Sequence, residues 1–331
     1  MKVAFTLCSI NYLAQAKSLS ESLKKTNPDW HFIYGIVDKN VNNVDLSFLD
    51  GDTLFVEELG INSFNDMVKQ YTIVELVTSV KPYYFTYLLG KYPDADKIVY
   101  FDPDILVFTP LTDLEDKLDK FDIVLTPHFT TPIQAEDKHL PTEIHIFNTG
   151  VFNLGFLAVK RSPNTLAMLK WWEEKLLHDC IVDLTRGYFV DQLWMNLVPA
   201  YFKSVYIDQY PGYNMAHWNL HERTLSKVDG KFLVNGVPLV FYHFSHYSPG
   251  KPEQIAAYHN RFNFDIRPDI REIYETYRKG LLDANYFELK KIVCHYMNDE
   301  KKKHRNRKIE NFLRQALPMN LKAVIKNLVK R

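Results

Sequence analysis

The stretch Lys97-Ile98-Val99-Tyr100-Phe101-Asp102-Pro103-Asp104-Ile105-Leu106-Val107-Phe108 constrains the fold of this chain more than any other. An apolar run rich in β-branched and aromatic residues is interrupted by two carboxylates one residue apart and then resumes, so Asp102 and Asp104 stand where a buried strand ends. Bare carboxylates at such a place are unfavourable unless a cation or hydrogen-bond donors compensate them. An Asp-x-Asp turn aims both oxygens at one point, and a hard divalent cation such as Mg²⁺ or Mn²⁺ takes oxygen ligands of this kind. A loop with helix-capping acids would use the same residue types; the apolar strands on both sides favour the metal.

The rest of the chain alternates strands and helices. Residues 3–7 read as a buried strand, followed by the loop Cys8-Ser9-Ile10-Asn11-Tyr12 and a helix with Ala16, Leu19 and Leu23 on one face. Residues 32–37 and 53–56 are further strands. Residues 64–80 have a helical pattern that Lys81-Pro82 breaks, and residues 83–89 start another helix. Residues 121–125 form a strand, 128–145 a polar loop over the site, and 147–159 a strand reached through the corner Asn148-Thr149-Gly150. Residues 163–178 are helical with Leu166, Leu169, Trp172 and Leu176 inward. Residues 189–198 form a helix whose start holds Asp191 and Gln192, and 237–242 are the last strand, running into His243-Phe244-Ser245-His246 and on to Lys251-Pro252. This alternation gives an α/β fold, a mostly parallel sheet flanked by helices, whose ligands bind at the carboxyl ends of the strands. The first loop lacks the glycines of a dinucleotide fingerprint or a P-loop, which argues against NAD and ATP chemistry.

Charge divides the chain. The formal net charge is zero, yet residues 301–331 hold eleven Lys or Arg and one acid, Glu310, leaving residues 1–300 at −10. In that tail, Ile309, Phe312, Leu313, Ala316 and Leu317, then Leu321, Val324, Ile325, Leu328 and Val329, keep helical spacing on either side of Pro318. A basic amphipathic segment suits an anionic membrane surface; a helix packed on the body of the protein is the alternative. Nucleic acid is not an expected partner, because the acidic remainder repels phosphates. Cys8, Cys180 and Cys294 are too few and too scattered for a disulfide framework or a zinc site. Lys2, the apolar residues 3–7 and Ala14-Gln15-Ala16 loosely imitate a secretory leader, but Ser9, Asn11 and Tyr12 interrupt it. No run reaches the roughly 20 apolar residues that a membrane span needs.

Taken in order, the glycine-free first strand, Asp102-Pro103-Asp104 after a hydrophobic strand, Asn148-Thr149-Gly150 with Asn153, Asp191-Gln192 with Asn196, and a late His-Phe segment ending at Lys251-Pro252 resemble GT-A nucleotide-diphospho-sugar glycosyltransferases. The pattern is similar to the family-eight type, glycogenin and the lipooligosaccharide galactosyltransferases. Phrases such as Tyr213-Asn214-Met215-Ala216-His217-Trp218 look more like nucleotide-diphospho-sugar transferases of bacterial polysaccharide assembly.

The resemblance implies a GT-A (Rossmann-like) catalytic domain over residues 1–255, with a nucleotide-binding half at 1–108 and a sugar and acceptor half at 109–255. A helical C-terminal region, 256–331, carries the basic tail. It implies that Asp102, Asp104 and His243 bind Mn²⁺ or Mg²⁺, that Asp102 also lies near the donor ribose, and that Thr6 and His246 belong to the donor site together with Asn11 and Tyr12, the last two at the base. Lys81 and Lys251 would meet the donor phosphates, Asn148 and Gly150 the sugar, Asp191 its hydroxyls, and Gln192 the underside of the anomeric carbon. Two departures stand out: His243 to Lys251 spans eight positions where the family has six, and His246 replaces a usual glycine, so either histidine is a candidate metal ligand.

The implied reaction moves a sugar, most simply from a UDP-sugar, to a saccharide or lipid-linked saccharide of bacterial surface polysaccharide or lipopolysaccharide, at the cytoplasmic face of the membrane. Retention of configuration is the family expectation. Inversion with Asp191 as general base, a non-catalytic sugar-nucleotide-binding protein and a sugar-nucleotide hydrolase are the alternatives.

Overall fold

The computed structural model describes residues 1–297; the basic amphipathic tail lies outside the described residues. In chain order the main strands are β1 (Lys2–Cys8), β2 (Trp30–Ile36), β3 (Asp52–Phe55), β4 (Lys97–Phe101), β5 (Ile105–Val107), β6 (Ile123–Leu125) and β7 (Phe156–Lys160). All but β5, together with the Val205–Ile207 strand, make a seven-stranded sheet ordered Val205–Ile207, β6, β7, β4, β1, β2, β3. Neighbours pair in parallel except at β7, which runs against both β4 and β6. The sheet is therefore mainly parallel.

Alternation along β1 divides the core. Ala4 and Cys8 face one layer, built from α1 (Leu13–Thr26) and the helix Arg271–Asp283; Val3, Phe5 and Leu7 face the other. That second layer contains α2 (Phe64–Gln70), α3 (Ile73–Ser79), α4 (Lys81–Lys91) and, beyond α5 (Thr112–Lys120) and α6 (Glu143–Thr149) in the sequence, α7 (Pro163–Asp179). Burial of both sheet faces explains why the strands read as near-continuous apolar runs. Residues 271–289 share the first core layer, with Ile273, Tyr274, Tyr277 and Leu281 in one cluster with Leu13 and Leu19 of α1, whereas Cys294 and Tyr296 join the second.

Several local expectations change. The helical pattern over 64–80 is two helices, because Thr72 and Glu75 form a capping box that starts α3 afresh, with the Thr72 amide donating to Glu75 Oε2 at 2.8 Å. Residues 147–159 are not one strand: Glu143–Thr149 is helical, with Ile144 and Phe147 exposed, and β7 begins only at Phe156. Residues 189–198 form a short 3₁₀ turn, Leu193–Leu197, after a brief strand at Tyr188–Phe189. Leu166 faces solvent, and Met168 fills the inward position beside Leu169, Trp172 and Leu176.

Candidate functional site

Strand geometry brings Asp102, Asp104 and His243 together. β4 ends at Phe101, the Asp102-Pro103-Asp104 turn follows, and β5 pairs antiparallel with the Phe241–His243 strand, setting His243 opposite Ile105. His243 Nε2 lies 3.0 Å from Asp104 Oδ1 and 3.7 Å from Asp102 Oδ2, and one ligand atom from each residue lies within 4.8 Å of the others. Burial pushes the His243 imidazole down, but the carboxylates of Asp104 and Asp102 outweigh it and leave it above the usual histidine range. Asp104 is pushed up by burial and pulled further down by His243. The Tyr100 hydroxyl donates to Asp102 Oδ1 at 2.5 Å.

The other ring nitrogen, Nδ1 of His243, lies 3.2 Å from Asn153 Oδ1, which turns Nε2 toward the carboxylates. Two carboxylates and one oriented imidazole are a donor set suited to a hard divalent cation. Gly155 makes room for this ring: a Cβ there would sit 2.3 Å from His243 Cε1. Trp218 packs edge-on against the same imidazole, ring centroids 5.1 Å apart.

A second group adjoins the first through Tyr100, over whose ring the Lys81 ammonium sits 4.3 Å from the centroid. Lys81 Nζ lies 2.6 Å from Asp191 Oδ2 and donates to the Leu154 carbonyl at 2.8 Å, with Lys81 and Asp191 both buried. Burial pushes the Asp191 carboxyl up; Lys81 acts in the opposite direction. Gln192 is held by its neighbours: Oε1 accepts from the Leu154 amide at 3.1 Å, and Nε2 donates to the Thr149 carbonyl at 3.0 Å. Gly150 has φ +124°, and a Cβ there would meet Gln192 Cγ at 2.8 Å. Asn153 links the two groups, since its Nδ2 also lies 3.4 Å from Gln192 Oε1.

The remaining candidates are spread more widely. Thr6 is fully buried in β1, and its hydroxyl has no hydrogen-bond partner among the described residues. Asn11 is buried and accepts from Ser9 Oγ at 2.5 Å, while Tyr12 presents a partly exposed ring. His246, at φ +60°, occupies the left-handed conformation that explains why glycine would suit its position; its ring packs on Tyr258, and the three-residue cluster does not include it. Lys251 is exposed in the turn closed by its amide on the Ser248 carbonyl. Asn148 is exposed on α6.

Two Asn-x-Gly triplets follow one another, Asn148-Thr149-Gly150 and Asn153-Leu154-Gly155. Sequence reasoning gave its attention to the first, whereas the second lies against His243. Trp218 and His128 were also missed. His128 Nδ1 bonds the Val151 carbonyl at 3.1 Å and its Nε2 meets Asn153 Nδ2 at 3.2 Å. Only the Asn153-Leu154-Gly155 spacing was open to detection.

No family model matches this chain. It is 26% identical over 280 residues to the uncharacterized protein YfnF of Bacillus subtilis (strain 168), covering 82% of this chain and 89% of that one. A second protein of that organism, YfnD, is 26% identical over 178 residues, 53% of this chain and 54% of its own. Among solved structures the chain is similar to the galactosyltransferase LgtC in complex with donor and acceptor sugar analogs, at 18% identity and TM-score 0.46 over 86% of this chain and 96% of that one. It is similar also to the WbbM bifunctional glycosyltransferase, at 14% identity and TM-score 0.47 over 88% of this chain and 52% of that one. Among the described residues no helix is long and apolar enough to cross a membrane.

Proposed function

We propose that this chain is a metal-dependent glycosyltransferase of GT-A type that moves a sugar from a nucleoside-diphosphate donor, UDP-sugar first among them, to a saccharide or lipid-linked saccharide. The observation that carries the reading is the convergence of Asp102, Asp104 and His243 where β4 leaves the sheet, the end at which an open, mainly parallel sheet takes its ligands.

In this reading Asp102, Asp104 and His243 hold Mn²⁺ or Mg²⁺, which when bound stabilises the negative charge gathering on the departing diphosphate. Lys251 meets the phosphates, and Asn11 and Tyr12 the base. Gln192, fixed at both ends of its amide, presents a rigid wall to the sugar beside Gly150. The bond from the anomeric carbon to the diphosphate oxygen breaks, the acceptor oxygen bonds that carbon, and the acceptor proton leaves on the diphosphate. Retention is favoured over inversion because Asp191, the carboxylate first suited to be a general base, is buried and engaged by Lys81. The basic tail suggests a peripheral place on an anionic membrane, where a lipid-linked acceptor of surface polysaccharide would lie.

Calorimetric titration with UDP, GDP and dTDP, each with and without Mn²⁺, tests the reading. Tight binding of one nucleotide only with Mn²⁺ is expected; binding of none would overturn it.

A further inference from the structure

The last described segment closes over the loop that opens the chain. After the helix Arg271–Asp283, a short turn of helix, Tyr286–Leu289, delivers Lys290 to the β1–α1 loop, where its ammonium sits 4.1 Å from the centroid of the Tyr12 ring. The placement is anchored from both sides by one buried carboxylate. Asp38 Oδ2 accepts from the amide of Ile10 at 3.1 Å, and Asp38 Oδ1 accepts from the amide of His295 at 2.7 Å, so loop 9–12 and segment 290–296 hang from the same side chain. Tyr12 follows β1 at the same end of the sheet at which Asp102 and Asp104 follow its parallel neighbour β4. Lys290 is exposed and forms no ion pair among the described residues.

A solvated lysine on the surface gains little from an aromatic face, about 0.5–1 kcal/mol. Its position beside the acidic turn suggests a second role, and charge balance supplies one. The Lys81–Asp191 pair is neutral, and a divalent cation on Asp102, Asp104 and His243 would cancel the two carboxylates. The diphosphate of a nucleotide donor then brings about two negative charges with Lys251 alone assigned to meet them. A further cation would balance the second charge, and Lys81 is already committed to Asp191.

We propose that Lys290 is that cation: held over Tyr12, it recognises the diphosphate of the donor, so that the segment after Arg271–Asp283 completes the nucleotide site. The inference rests on the nucleotide-donor reading above and extends it to a residue that sequence motifs do not mark. Lysine suits the role as a compact charge on a flexible stem, and its contribution falls as salt rises.

The test is calorimetric titration of the full chain with UDP, UMP and uridine in Mn²⁺, comparing wild type, Lys290→Met and Lys290→Arg. Lys290→Met is expected to weaken UDP about tenfold, UMP less and uridine not at all, with Lys290→Arg keeping most of the affinity and the UDP loss shrinking at high salt. Unchanged UDP affinity in Lys290→Met would overturn the proposal. An equal loss for uridine and UDP would overturn it as well, by assigning the effect to stacking on Tyr12. Wild-type chain that binds none of the three fails a different assumption, the uridine-nucleotide donor itself, and is told apart by that result.

Discussion

Lys81 and Asp191 meet at 2.6 Å with both side chains closed off from solvent, although 110 positions separate them in the sequence. Taking one partner away leaves a buried charge without compensation, which costs about 3–5 kcal/mol, whereas replacing both by apolar groups is often close to neutral. Lys81→Met and Asp191→Leu should each lower the urea midpoint sharply, and the double variant should recover much of the loss. Three equal losses would show that the two charges are not coupled.

Gly155 tests the metal cluster without touching a carboxylate. Since a Cβ at this position would sit 2.3 Å from His243 Cε1, Gly155→Ala should displace the imidazole and weaken Mn²⁺ at least tenfold, read by manganese electron paramagnetic resonance. Asp104→Asn, measured alongside, should abolish metal-dependent UDP binding with the thermal midpoint little changed. Full Mn²⁺ affinity in Gly155→Ala would remove His243 from the ligand set.

His128 gives the acid limb of stability a specific source. Its ring is neutral, with Nδ1 donating to the Val151 carbonyl and Nε2 accepting from Asn153 Nδ2, and burial pushes it down to about 4. Between about pH 6.5 and 4 the unfolded chain binds a proton here that the folded chain refuses, so stability present above pH 6.5 is lost as pH falls through this window. At 1.36 kcal/mol per pKa unit the loss reaches about 3 kcal/mol. Denaturant titrations at pH 7 and pH 5 should show this slope in the wild type and a shallower one in His128→Gln.

The basic tail, residues 301–331, is expected to hold the protein on anionic membranes. Truncation after residue 300 removes a net charge of +10 together with ten regularly spaced apolar residues, and should release the chain from anionic vesicles in a sedimentation assay, with UDP binding retained. Binding that survives truncation would place the membrane contact on the body of the protein.

Much of this architecture is legible from residue patterns because burial on both faces of the sheet writes long apolar runs into β1, β2 and β4. The acidic turn stands out against such runs, and His243 is marked by following the last one. What pattern could not supply is distance between remote segments. The choice between two adjacent Asn-x-Gly triplets is decided by where β7 begins, and the helix Glu143–Thr149 straddles the boundary between the expected polar loop and the expected strand, with Ile144 and Phe147 exposed. Trp218 and Lys290 carry no local signature at all: one acts by edge-on contact with an imidazole 25 positions away, the other across almost the whole chain.

The reversed direction of β7 has a consequence for how such a site can diversify. Asp102 is reached on leaving β4 and Asn153 just before β7 starts, yet both stand at the same rim because Phe101 pairs with Phe156. The chain between β6 and β7 is pinned by the amide of His128 on the Val151 carbonyl at 2.9 Å and by the amide of Asn153 on the Thr126 carbonyl at 2.9 Å. Residues 129–150 therefore form a cassette, clamped at its two ends and held between them by Glu222, Arg261 and Gln192. Grafting a different loop there should change which acceptor is admitted while leaving the cation and nucleotide sites in register.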